Sequence, residues 1–241
     1  MTVTINAAGM HYKPLNELVK SHCQGEDLLL ENVNGQRYIG GGLQSLNCIE
    51  IDGVPGNDLA VFMDGPKITV KGNIQDAAAN TMNSGLIVVH GRAGDTLGYG
   101  MRGGEVFIRD DVGYRSGIHM KEYGSQIPAL VIGGVAGDFL GEYMAGGIII
   151  ILNLQGSKQP VGSYCASGMH GGKIFIKADQ ILHLPSSVAV IEADEKDKVI
   201  LAHYIAAYEG YFGLKKRPEP QDFLKLSPAS SRPYHNLYVG I

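Results

Sequence analysis

The chain has 241 residues, a net charge of −4 and 34 glycines, which is about twice the ordinary share of glycine. The near-neutral charge gives no reason to expect binding to nucleic acid or to an anionic membrane, and no apolar run approaches the ~18 residues of a membrane span. Cys23, Cys48 and Cys165 are odd in number and scattered, which argues against a disulfide framework or a closely spaced metal site and predicts a reducing, cytoplasmic location.

Residues 1–28 are predicted to form an N-terminal cap. A short helix is expected from about Pro14 to Cys23, because proline suits a first helical turn and Leu15, Leu18 and Val19 fall on one face. A cap is needed there because an uncovered first strand would offer its backbone groups to other chains.

A repeat of 19 residues dominates the rest of the chain, and its clearest copy is Leu86 to Gly104, LIVVHGRAGDTLGYGMRGG. Numbered within this unit, apolar residues stand at positions 2, 4 and 12, aspartate at position 10 and methionine at position 16. Six methionines share position 16: Met63, Met82, Met101, Met120, Met144 and Met169. The first four are 19 residues apart, and the next two steps, of 24 and 25 residues, each contain an insertion. A fixed period of about 20 residues indicates a solenoid.

Each unit opens with a short β-prone run such as ITV, IVV or VFI, which has the length of a strand. A helix in the remainder is disfavoured because each interior glycine costs roughly 1 kcal/mol there, and glycines at fixed positions are expected to form the left-handed corners. The predicted fold is all-β: a single-stranded parallel β-helix over residues 29–192 with about seven coils, right-handed because parallel crossovers prefer that hand. Leu29 to Asn47 is interpreted as a degenerate first coil with Gln44 at the methionine position.

Position 3 of the repeat is unexpectedly apolar. Positions 2, 4, 12 and 16 are expected to face the interior, whereas position 3 should point outward because side chains alternate along a strand. In five successive coils position 3 nevertheless holds Val88, Phe107, Val131, Ile150 and Phe175. A solvated face would not be so apolar, so another part of the chain is expected to cover it.

Residues 193–241 are the candidate cover. Lys196 to Gly213 is predicted to be a helix with one apolar side, ended by Pro218 and Pro220. The tail that follows is expected to be extended and to lie along a surface, with Tyr234 and Tyr238.

The repeat carries no recognisable catalytic or binding set. Position 10 holds Asp76, Asp95 and Asp138. A carboxylate row could bind Ca²⁺, but each aspartate is expected to cap its own turn, and the nonapeptide pattern of Ca²⁺-binding β-rolls is missing. The stacked methionines are interpreted as core filler rather than a soft-metal channel. The sequence therefore predicts no catalytic, cofactor-binding or metal-binding residues.

The unit GDxLGxxMxGG and the stretch IHMKEYGSQIPALVIGGVAGDFLGEYMAGGIIIIL, from Ile118 to Leu152, carry a family resemblance. They resemble the GXGXG domain of the glutamate synthase large subunit, most closely its stand-alone form, and more distantly the formylmethanofuran dehydrogenase subunit that uses the same coil. The resemblance covers nearly the whole chain and implies a right-handed β-helix without catalytic residues of its own. The resemblance also implies that, in the large enzyme, this β-helix holds the glutaminase domain against the flavin and iron–sulfur synthase domain.

The expected function is therefore a non-catalytic scaffold subunit of a glutamate synthase-like complex. Its expected partners are a glutaminase (amidotransferase) chain and an FMN/iron–sulfur synthase chain, with homo-oligomerisation left open and no cofactor of its own. One alternative is the corresponding subunit of a formylmethanofuran dehydrogenase-like complex. Another is a solitary β-helix hydrolase or lyase acting on polysaccharides, which would need carboxylates and basic groups clustered on one outer face.

Two insertions into the repeat, Lys121 to Pro128 and Asn153 to Pro160, are expected to be contact points for partners. Solenoids tolerate insertions at their corners, where these often lie on a binding face. The alternative is that both are ordinary variable loops.

Overall fold

The computed structural model describes residues 2–23, 25–181 and 183–230. Its strands are β1 Thr2–Asn6, β2 Asp27–Asn34, β3 Cys48–Val54, β4 Asp64–Val70, β5 Ser84–Val89, β6 Glu105–Ile108, β7 Ala129–Ile132, β8 Ala145–Ile151, β9 Gly171–Lys177, β10 Val188–Ile191 and β11 Phe223–Pro228. The α-helices are α1 Tyr12–His22 and α2 Glu195–Phe212, and a 3-10 turn spans Pro220–Asp222. All strands join one sheet, in the order β1 to β9, then β11 and β10.

Strands β2 to β9 form a parallel ladder in which each strand pairs with the corresponding strand of the next coil. Position 2 runs in register through Ile49, Ile68, Ile87, Val106, Leu130, Ile149 and Ile174. The predicted parallel β-solenoid is thus confirmed, with about six turns rather than about seven. The two insertions lie between strands, so neither disturbs this register.

The interior is apolar, as the repeat predicts. Residues at positions 2 and 4 from β3 to β9 are buried, and all six position-16 methionines have 0% exposure. Each such side chain contributes roughly 1.5–3 kcal/mol on burial. Position 8 forms a second short parallel ladder that the sequence did not single out, and it holds Ile74, Ala93, Val112, Ala136 and Val161. These residues differ in size, so the pattern is weak in the sequence although all five are buried.

The corners of the coil are not all made by glycine, which corrects the prediction. Position 11 has a positive φ from the first coil onward and is never glycine: Tyr38, Asp58, Ala77, Thr96, Arg115, Phe139 and Tyr164. Its amide donates to the next coil, as from Thr96 to the Tyr114 carbonyl at 2.7 Å, whereas the amide two residues on, in Gly98, donates back to Ala78 at 2.8 Å. These intercoil bonds hold a left-handed conformation that costs about 1–2 kcal/mol in a non-glycine residue.

The N-terminal segment extends the sheet as well as capping it. Strand β1, which was not predicted, pairs in parallel with β2. Helix α1 lies close to the predicted bounds and buries Leu15 and Val19. Leu18, which was placed on the same face, is exposed.

The first coil is out of phase with the prediction. Leu28 pairs with Ile49, so the coil does not begin at Leu29 as predicted. The methionine position is held by Leu43, whose carbonyl accepts from the Asp64 amide at 2.8 Å. Leu43 is buried and Gln44 is exposed. The coil is two residues longer than the repeat: one extra residue lies at the irregular step of the β2–β3 pairing, and the other follows Leu43.

The C-terminal region contains the predicted helix, α2, and two strands that were not predicted. The helix ends at Phe212, before Gly213 with a φ of 70°, and so ahead of Pro218 and Pro220. Part of the predicted extended tail is strand β11, which pairs antiparallel with both β9 and β10. Tyr234 and Tyr238 lie outside the described residues.

Candidate interaction surfaces

Helix α2 covers the apolar stripe at position 3, as predicted. Its residues Leu201, Tyr204, Ile205 and Tyr208 are buried against Phe107, Val131, Ile150 and Phe175. The Tyr208 hydroxyl donates to the Arg109 carbonyl at 2.8 Å. Burial raises the pKa of Tyr204 to about 12. This stripe is therefore internal and is not available as a docking surface for a partner.

A buried carboxylate fastens α2 to the sheet. Asp197 has 0% side-chain exposure and accepts from Lys173 Nζ at 2.7 Å and from Lys225 Nζ at 2.6 Å. It also completes a capping box with Asp194 at the start of α2. Burial raises the pKa of Asp197, but the hydrogen bonds from the two lysines and the Asp194 amide outweigh it and hold the pKa below its usual value.

The position-10 aspartates bridge coils, so the prediction that each caps its own turn is wrong. Asp76 Oδ1 accepts from the Asp95 amide at 2.9 Å, and Asp95 Oδ1 accepts from the Tyr114 amide at 2.9 Å. Asp138 does the same one coil on, to Ser163 at 2.7 Å. A Cβ at Gly94 would lie 2.2 Å from Asp76 Oδ1. The glycine before each receiving amide is therefore required by the carboxylate of the previous coil.

Side chains at position 7 form the same kind of hydrogen bond to the next coil. Asn73 Oδ1 accepts from the Arg92 amide at 2.9 Å, and Asp111 Oδ1 accepts from the Val135 amide at 3.1 Å. These acidic and amide side chains are thus engaged within the solenoid. Among the residues that the structure describes, no three His, Cys, Asp or Glu side chains are grouped so as to hold a metal ion.

Aromatic side chains that are exposed, or half-buried in the case of Phe139, gather where the coils turn between positions 10 and 15. We name this surface the aromatic corner, and its residues are Tyr99, Tyr114, Arg115, His119, Phe139, Tyr143 and Tyr164. The Phe139 and Tyr164 rings stack at 5.0 Å and 9°, and His119 stacks on Tyr143 at 5.3 Å and 11°. The Arg115 guanidinium lies 5.1 Å from the Phe139 ring centroid. Stacked aromatic rings with an arginine are rigid and typical of protein interfaces.

The first insertion is a small hairpin that begins two residues after His119 of the aromatic corner. Tyr123 and Gln126 exchange two backbone hydrogen bonds of 3.0 Å. Glu122 Oε2 accepts from the Gly147 amide at 3.3 Å, which fixes the hairpin to the next coil. Tyr123 is 74% exposed and Ile127 is also exposed. The hairpin therefore presents apolar side chains outward while its base is held.

The second insertion is closed by one buried side chain. Asn153 Nδ2 donates to the Ser157 carbonyl at 2.9 Å and to the Lys177 carbonyl at 3.1 Å, and its Oδ1 accepts from the Ser157 amide at 2.8 Å. The loop is thereby held against the end of β9. The first insertion follows position 16 of its coil and the second follows position 5, so they leave the coil at different places.

A family model described as the GXGXG motif matches residues 28–219. The chain belongs to the GXGXG family. The match begins in β2 and ends beyond α2, so it includes the solenoid and the helix that covers it. The family relates this chain to a domain of glutamate synthase. The uncharacterized protein MJ1350 of Methanocaldococcus jannaschii is 43% identical over 251 aligned positions, which cover 98% of this chain and 96% of that protein.

As a GXGXG protein, the chain presents two candidate contact areas: the hairpin with its aromatic corner, and the second insertion. Sequence reasoning found both insertions from the broken methionine period, but it missed the aromatic corner. The signal was present, since Arg115, Phe139 and Tyr164 all stand at position 11. Among the described residues, no helix has the length and apolarity needed to span a membrane.

Proposed function

We propose that this GXGXG protein is a non-catalytic scaffold subunit of a glutamate synthase-like complex. It holds a glutaminase chain, which releases ammonia, against an FMN/iron–sulfur synthase chain, which uses it. The observation that carries the proposal is the family match over residues 28–219, because it spans the solenoid as one unit.

The use of the acidic side chains supports a scaffold over a polysaccharide-active enzyme. Such an enzyme needs carboxylates that are free to act as acid, base or nucleophile. Asp76, Asp95, Asp111 and Asp138 instead accept backbone amides of the following coil. These hydrogen bonds join successive coils, which explains why the aspartates are there. A carboxylate engaged in this way is poorly suited to act as an acid, base or nucleophile.

The aromatic corner and the hairpin support a role in binding another protein. Contact surfaces are enriched in tyrosine, phenylalanine and arginine, and rigid anchors lose little conformational entropy on association. The exposed side chains of Tyr123, which pairs across the turn, and of Ile127 belong to a hairpin that is already fixed to the coil through Glu122.

Purification of the tagged chain from its source, with identification of the co-purifying proteins, tests the proposal. We expect a glutaminase chain and an FMN/iron–sulfur synthase chain. Recovery of formylmethanofuran dehydrogenase subunits instead would support the alternative complex. In a reconstituted mixture, adding the chain should raise glutamate synthesis from glutamine and leave synthesis from free ammonia unchanged, because a scaffold affects only ammonia transfer. Equal stimulation of both reactions would contradict a scaffold role.

The hairpin can be tested separately. Deletion of Gly124 to Gln126 should leave the solenoid folded and weaken co-purification of the partners. A double substitution, Tyr123→Ala with Ile127→Ala, should have the same effect without shortening the chain. Leu46→Ala with Val199→Ala is the matched control, because both side chains are exposed elsewhere. If the hairpin variants melt normally and retain their full set of partners, the hairpin is not part of the interface.

A further inference from the structure

Four lysines from separate parts of the chain line one surface depression. Lys158 lies in the second insertion, Lys177 ends β9, and Lys215 and Lys216 follow α2. They line two adjoining grooves, of about 620 and 800 Å³, which share Lys216. We name this surface the lysine groove. Within the described part of the chain, none of the four ammonium groups has an ion-pair or hydrogen-bond partner.

The acidic residues in the grooves do not balance these lysines. Asp110 is paired with Arg109 at 3.0 Å, and Asp222 Oδ2 accepts from the Glu219 amide at 2.9 Å. Asp179 is the other carboxylate in the lining. The two grooves together present five cationic and three anionic side chains, on a chain whose net charge is −4. The lysine groove is thus locally positive on a negative molecule.

The fold holds this arrangement in place before any ligand binds. Asn153 ties the second insertion to the Lys177 carbonyl at 3.1 Å, which keeps Lys158 beside the end of β9. The Tyr208 hydroxyl binds the Arg109 carbonyl at 2.8 Å, which fixes the end of α2 over the second groove. Like charges brought together repel one another, and a preorganised site loses little entropy when an oppositely charged partner binds.

We infer that the lysine groove docks an acidic segment of a partner polypeptide. The two grooves form an extended depression, and Lys158, Lys215 and Lys216 are exposed in its lining. The lysines come from three segments of the chain and line two adjoining grooves, an arrangement that suits an extended segment with several carboxylates. Residues 231–241 contain no Asp or Glu, so they do not supply that segment. The inference rests on the proposed function in taking a partner chain as the occupant.

A charge-reversal variant tests the groove directly. The probe is a fluorescein-labelled oligoglutamate peptide, and binding to the full chain is followed by fluorescence anisotropy at low salt. Lys158→Glu with Lys216→Glu should weaken binding by about tenfold or more, because surface charge complementarity is reversed at two sites. Lys13→Glu with Lys20→Glu, exposed on α1 at the other end of the molecule, changes the net charge equally and should leave the affinity unchanged. Raising the ionic strength to about 1 M should also abolish binding, since the screening length falls to about 3 Å.

The alternative outcomes are distinct. Equal affinity in the wild type and both double variants would overturn the groove as the binding site. Displacement of the peptide by millimolar inorganic phosphate would assign it to a small anion, and tighter binding of a single-stranded oligonucleotide would assign it to nucleic acid. Either result would overturn the inference.

Co-purification separates this inference from the proposed function. If the wild-type chain captures glutaminase or synthase chains and the groove variant captures them equally well, the scaffold proposal stands and the docking inference fails. If the wild-type chain captures neither, the scaffold proposal fails, and the peptide measurement still decides whether the groove binds carboxylates.

Discussion

The contact between Asp76 and Gly94 gives a quantitative test of how the coils are joined. A Cβ at Gly94 would lie 2.2 Å from Asp76 Oδ1, while the nearest backbone atoms are 3.1 Å away. Gly94→Ala should therefore displace the carboxylate and break its 2.9 Å hydrogen bond to the Asp95 amide. That bond contributes about 1 kcal/mol, and the displaced side chain adds about 0.5–1.5 kcal/mol of rotamer strain.

Two further considerations set the net size of the effect. Gly94 lies outside the left-handed region, so alanine fits its backbone and gains about 0.4–1 kcal/mol by restricting the unfolded chain. The net cost of Gly94→Ala should be about 1–2 kcal/mol, and Asp76→Ala alone should cost about 1 kcal/mol. In the Asp76→Ala background the carboxylate is gone, so Gly94→Ala should be close to neutral. The double variant should thus be less destabilised than the sum of the single variants by about 1–2 kcal/mol.

The assay is guanidinium unfolding followed by circular dichroism at one fixed temperature. Gly210→Ala is the control, because a Cβ there meets no atom within 4 Å and alanine should stabilise this helical position by about 0.5–1 kcal/mol. If the Asp76 and Gly94 substitutions prove additive, then the glycine is not required by the carboxylate and the reasoning is wrong.

Three further predictions concern the core, the ligands and the helix that covers the stripe. Met101→Asp should be severely destabilising because Met101 has 0% exposure, whereas Asp95→Asn should be mild because an amide oxygen can still accept from Tyr114. Thermal unfolding checks both, and a wild-type melting temperature for Met101→Asp would refute the assignment of position 16 to the core. The purified chain should bind no flavin, iron or calcium tightly, and a stoichiometric metal in elemental analysis or a flavin absorbance band would contradict this. Asp197→Ala should cost about 3–5 kcal/mol by leaving the buried Lys225 unpaired, and it should expose the position-3 stripe to a hydrophobic dye. The pKa of Asp197 is lower in the folded protein than in the unfolded chain. The stabilisation that Asp197 gives the fold is therefore present above the unfolded pKa of about 3.9 and is lost as the pH falls through the lower folded pKa. If the stability difference between Asp197→Ala and the wild type persists undiminished at still lower pH, the ion-pair explanation is wrong.

The repeat and its phase could be predicted from the sequence alone. A period of 19 residues places Met63, Met82, Met101 and Met120 on one line of the coil, and an apolar residue at a fixed phase must face the interior because each coil has the same shape. The apolar position-3 stripe also required a cover, and the sequence contained one suitable helix. These inferences held because burial of apolar side chains is a property of each residue and its local period.

The joints between coils were decided only by the tertiary structure. Asp76 caps no turn of its own, because the amide that it binds belongs to a residue 19 positions further along the chain. The phase of the first coil follows from the pairing of Leu28 with Ile49. The pairing of β2 with β3 is irregular, so the 19-residue period of the sequence does not show this phase. The lysine groove collects Lys158, Lys177 and Lys216 from an insertion, a strand end and a loop. Such contacts form between segments that are distant in the sequence, so no local pattern of residues predicts them.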